Sequence, residues 1–60
     1  MKRYKNYTIE RVSDLHYICR RDDEIIAYAT SPQVFLQLIY TMELDSGIDK
    51  PLTLEDFSDE

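Results

Sequence analysis

The strongest constraint on what this chain can become is one punctuated helix signal between Thr30 and Gly47, T-S-P-Q-V-F-L-Q-L-I-Y-T-M-E-L-D-S-G. Ser31 supplies an N-cap, because its hydroxyl can accept a bond from an amide that the first turn leaves unpaired. Pro32 then falls at the first helical position, where a missing N–H costs nothing. Gly47 can adopt the left-handed conformation that closes a helix. The spacing predicts a helix over 31–46. On a helical wheel Val34, Phe35, Leu38, Ile39 and Met42 form one broad apolar stripe, and Leu36, Tyr40 and Leu44 form a second. One stripe suffices for a core; the other needs a further partner.

Upstream, residues 7–30 read as short runs of Tyr, Ile, Val and Thr broken by Asp and Ser, which is strand chemistry. Strands are expected over 7–12, 15–21 and 24–30. Asp22-Asp23 occupies the place of a two-residue hairpin loop, and Ser13-Asp14 is assigned the same role. Counting from these loops sets Ile9 opposite Ile18 and Ile18 opposite Ala27. Tyr7 then faces Arg20, Arg11 faces His16, and Glu10 faces Tyr17, which faces Tyr28. One face carries Tyr7, Ile9, Ile18, Ile25, Ala27 and Ala29 and receives the helix. The other carries Tyr17, Cys19, Ile26 and Tyr28. A one-residue slip in the first loop would invert the first strand relative to the others.

The expected architecture is therefore α+β: a three-stranded antiparallel β-meander packed against one α-helix (βββα), in a single domain over 1–60. Residues 1–6 are read as a frayed basic arm, and 48–60 as an acidic segment, extended or with a single turn. Within that segment Thr53 and Asp56 have the spacing of a capping box.

Sixty residues make one small domain, which buries only about 60% of its unfolded surface. Small domains add disulfides, metals or a second subunit. The single cysteine, Cys19, closes the first route. His16 and Cys19 are the only soft metal ligands and lack paired spacing, so no metal and no cofactor is expected. Three residues apart on a strand, they also point to opposite faces and cannot act together. No phosphate-cradling loop can be built around one glycine. The chain is expected to be a non-enzyme. No apolar run is long enough for a membrane span, and one unpaired thiol fits a soluble, cytoplasmic protein.

Charge gives the sharpest functional signal. Residues 1–21 hold a balance of +4, residues 22–60 a balance of −9, for −5 in all. This polarity implies internal pairing of the two halves, or an acidic surface offered to a basic partner. It argues against direct nucleic-acid binding, because an acidic excess repels phosphates. The candidate acidic surface comprises Glu43, Asp45, Asp49, Glu55, Asp56, Asp59 and Glu60, with Asp22, Asp23 and Glu24 as a second patch. The candidate apolar contacts are Leu36, Tyr40, Leu44, Leu54 and Phe57, and the Tyr17/Tyr28 sheet face.

In size and charge the chain resembles small phage-encoded inhibitors, including uracil-DNA glycosylase inhibitors and anti-CRISPR proteins. No motif residue is shared. The resemblance implies an inhibitor that docks on a larger host protein, such as a nucleic-acid-binding enzyme, with carboxylates imitating phosphates. The alternative is a homodimeric structural or assembly module, similar in layout to antitoxin sheet-and-helix units.

Overall fold

A computed structural model describes residues 1–59. The chain runs through β1 (Lys2–Tyr4), β2 (Tyr7–Ser13), β3 (His16–Arg21), β4 (Glu24–Ala29), α1 (Gln33–Met42) and β5 (Ser58–Asp59). Two single 3₁₀ turns, Leu44–Ser46 and Leu54–Asp56, lie between α1 and β5. The class is α+β, but the sheet has five antiparallel strands in the order β4-β3-β2-β1-β5, not three.

The first correction concerns the N-terminus. Residues 2–4 are not a frayed arm: they form a strand inside the sheet, flanked by β2 and β5. A two-residue turn, Lys5-Asn6, joins Tyr4 to its partner Tyr7, with Lys5 at φ +53°. Asp22 takes φ +58° in the turn between β3 and β4, as the hairpin reading requires. Its amide also donates to the Asn6 carbonyl at 2.8 Å, so these two turns sit side by side.

The second correction is the register. The turn between β2 and β3 is Asp14-Leu15, one residue later than expected, and Ser13 pairs with His16. Ser13 Oγ lies 2.8 Å from His16 Nδ1 across its base. Moving the loop alone would keep the same faces together; the extra residue of a bulge at Val12 inverts the rest of β3 relative to β2. Ile9 faces Cys19, not Ile18; Tyr7 faces Arg21, not Arg20; Arg11 faces Tyr17, not His16; Glu10 faces Ile18, not Tyr17. Two bulges complete the change, one at Val12 and one at Ile26. Cys19 therefore lies between Ile9 and Ala27 in the row beneath the helix. Ile18 and Tyr28 lie together on the outer face. The small side chains of Cys19, Ala27 and Ala29 leave room for the helix to approach closely.

The helix is shorter than expected. It begins at Gln33, with Pro32 and not Ser31 at the N-cap position and no side-chain cap there. Ser31 Oγ, one residue earlier, accepts the Gln33 amide at 3.4 Å, and the Phe35 amide donates to the Pro32 carbonyl at 3.1 Å. The α-helical part stops at Met42. Gly47, at φ +92°, ends the following 3₁₀ turn instead. The apolar seam is also rotated: Phe35 and Ile39 are buried and Leu36 packs on the core, while Val34 and Met42 are exposed. Leu52 of the C-terminal segment lines the same groove as Leu36, so that side of the helix is covered as well.

The core is Tyr7, Ile9, Cys19, Phe35, Ile39 and Phe57. Phe57 meets the Tyr4 ring at 5.4 Å between centroids, tilted by 43°. The capping box ahead of it is present, with Asp56 Oδ2 accepting the Thr53 amide at 2.8 Å. The segment then closes the sheet as β5. Lys2 faces Asp59 there, and their side chains pair at 3.0 Å. Among the described residues, no helix is long and apolar enough to cross a membrane.

Candidate functional site: an acidic end

The distribution of charge is settled largely by what the cations already do. Lys2 pairs with Asp59 and Lys5 with Glu43, tying the basic half to the acidic half. Arg11 pairs with Asp14 at 2.5 Å, and Arg20 holds Glu10 across the outer face. Among the described residues, no ion pair engages Asp22, Asp23, Glu24, Asp45, Asp49, Glu55 or Asp56. All seven are exposed. Glu60, also part of the expected acidic surface, lies outside the described residues.

Several of these free carboxylates come together for a topological reason. The helix begins beside the β2–β3 turn end of the sheet and runs back to the opposite end. There Glu43 reaches Lys5 at 3.4 Å, next to Asn6 and the Asp22 turn. Asp22, Asp23, Glu24 and Asp45 thus share one end of the molecule. Leu44, 51% exposed, sits beside Asp45, and exposed Met42 precedes it by two residues.

A fixed base supports this end. The Glu43 side chain is only 14% exposed. Hydrogen bonds from Ser46 and Tyr7, together with the charge of Lys5, hold its carboxyl below the usual carboxylate value. The Tyr7 hydroxyl is pushed up by burial and by its bond to Glu43, an effect that Arg21 partly offsets. Glu43 is thereby an internal strut between hairpin and helix, not a free surface acid.

The remaining candidates scatter. Glu55 and Asp56 lie on the C-terminal turn, where Asp56 serves as a cap, and Asp59 is neutralised by Lys2. Phe57 is 6% exposed, so its ring belongs to the core and is closed to a partner. Tyr17 and Tyr28 do not share a face: Tyr17 packs toward the core, whereas Tyr28 is 73% exposed on the outer side. Leu36 and Leu54 line a shallow groove of about 430 Å³ with Leu52 and Gln33, and Tyr40 is half-buried. A smaller cleft of about 270 Å³ opens where α1 begins, between Ile9, Arg11, Tyr17 and Pro32. Among the described residues no three His, Cys, Asp or Glu side chains gather as a metal-ligand set. His16 is exposed and Cys19 buried.

Sequence reasoning missed the Lys5–Tyr7–Glu43–Ser46 base. Its only linear trace is a basic residue in the tight turn Lys5-Asn6. Comparison with protein-family models finds no match, and neither do comparisons with curated proteins and with solved structures.

Proposed function

We propose that this is a non-enzymatic acidic binding protein of the inhibitor type, which docks its acidic end on a basic groove of a larger nucleic-acid-binding protein. One observation carries the reading. Outside the internal ion pairs, the exposed carboxylates of Asp22, Asp23, Glu24 and Asp45 outnumber the Arg21 guanidinium opposite Glu24 at one end, beside exposed Leu44. Carboxylates spread over one surface attract a basic groove as phosphates do, because the long-range field sums over them. Leu44 adds the apolar contact that slows dissociation. The C-terminal acids contribute to the field, but their geometry serves the fold first.

Affinity capture from a host lysate tests the proposal, with mass spectrometry of what is retained. The expected catch is a stoichiometric nucleic-acid-binding protein that added salt or duplex DNA releases. The triple variant Asp22→Asn, Asp23→Asn, Asp45→Asn should bind it more slowly and with weaker salt dependence. Capture that ignores salt and survives this variant would remove the reading.

A further inference from the structure

The sheet has two edges, and they differ. β5 is two residues long. β4 is six residues, E-I-I-A-Y-A, with no Lys, Arg or Pro and its one charge, Glu24, at an end. Natural edge strands are guarded by shortness, by Lys or Pro, or by a covering element. Apart from the bulge at Ile26, β4 has none of the guards that sequence supplies. Among the described residues, the hydrogen bonds outside the ladders involve no backbone group of β4.

The bulge has a second effect. It turns Ile26 toward the core and leaves Ile25 and Tyr28 on the outer face, where Arg20 and Ile18 are their ladder partners. Both are exposed large hydrophobics. Three residues apart, they would sit on opposite faces of a regular strand.

We propose that β4 pairs antiparallel with β4 of a second copy of this chain, about a two-fold axis through the strand centre, to make a continuous ten-stranded sheet. Self-complementarity selects this occupant. In that alignment Ile25 faces Tyr28 of the second copy, twice over, so each exposed hydrophobic gains an apolar cross-strand partner. Glu24 faces Ala29, a neutral position. The acids of the Asp22-Asp23 turn meet the uncharged Ala29–Ser31 end. Two chains of charge −5 therefore join without like charges opposed. A parallel alignment would set Glu24 against Glu24. The isologous arrangement also supplies the second subunit that a small core calls for. It is argued from the β4 edge and not from the acidic end: Glu24 and the Asp22-Asp23 turn border the seam, whereas Leu44 and Asp45 lie outside β4.

Light scattering over a dilution series from low micromolar to millimolar concentration tests the pairing. The native chain is expected to pass from monomer to dimer. Ile25→Lys with Tyr28→Lys should abolish the dimer and leave the far-ultraviolet circular dichroism of the dilute protein unchanged. Leu44→Lys should leave the dimer intact. Amide hydrogen exchange on the native chain needs no variant: protection of β4 amides should rise with concentration. A monomer throughout, a dimer that survives both lysines, or a dimer lost with Leu44→Lys would overturn the proposal. Concentration-independent exchange of the β4 amides would overturn it as well.

Discussion

The sheet is assembled from two regions held by different means. β2, β3 and β4 are joined by two-residue turns, so each strand finds its neighbour within its own hairpin. β1 is the neighbour of β2 in the same way, but on its other side it depends on β5. The Lys2–Asp59 contact spans 57 residues of sequence. Turn chemistry fixes the first region. Burial of one aromatic ring, Phe57 against Tyr4, anchors the second. A small protein can thus hold a two-residue strand such as β5 in place without a second helix, provided one large side chain enters the core.

The comparison can be broken most forcefully at that ring. Phe57→Ala should cost about 3–5 kcal/mol, the usual range for a buried Phe. Half-buried Leu54→Ala should cost much less. Urea denaturation of the two variants gives the ranking, and equal losses would mean the ring is not the anchor.

A smaller effect is expected where the regions meet, at Glu43. Its carboxyl titrates below its ordinary value in the folded protein. The unfolded chain takes up that proton first as pH falls. The stabilisation is therefore complete above the ordinary value, about 4.5, and is lost as pH falls through the folded one. Melting temperatures of the native chain and Glu43→Gln, followed from pH 7 downward, should differ at neutral pH and converge in acid. A constant gap would exclude the carboxylate as its cause.

The smallest effect sharpens the hairpin side. Asp22 holds a left-handed backbone that costs a non-glycine residue about 1–2 kcal/mol, partly offset in glycine by its larger unfolded entropy. Asp22→Gly should raise stability by roughly 0.5 kcal/mol. Thermal melting against the native chain measures it, and a loss would show that the bond Asn6 Nδ2 donates to Asp22 Oδ2, at 3.4 Å, outweighs the backbone strain.

The same contrast explains what the sequence revealed. Ser31-Pro32, Asp22-Asp23 and the Thr53/Asp56 box are local signals, and each marks the element or turn expected of it. The β2–β3 register was hidden because the turn Asp14-Leu15 contains no glycine and exposes a leucine. The bulges at Val12 and Ile26 leave no compositional mark. β1 and β5 were invisible for another reason: Lys-Arg-Tyr and Ser-Asp become strands only through partners distant in sequence. For the candidate site, the acids and Leu44 were legible as residue types. Their meeting at one end was not, since it depends on the direction in which the helix returns.

The position of Cys19 turns the molecule into its own gauge of opening. Its side chain is 0% exposed, and burial pushes its thiol up to about 11. A thiol so placed does not react as a surface cysteine does, because attack needs both access and a thiolate. It lies in the middle row of β2, β3 and β4, between Ile9 and Ala27. Fraying at the strand ends does not uncover it. The rate at which an alkylating reagent labels the native protein therefore counts the moments when the helix leaves the sheet or the central sheet itself comes apart.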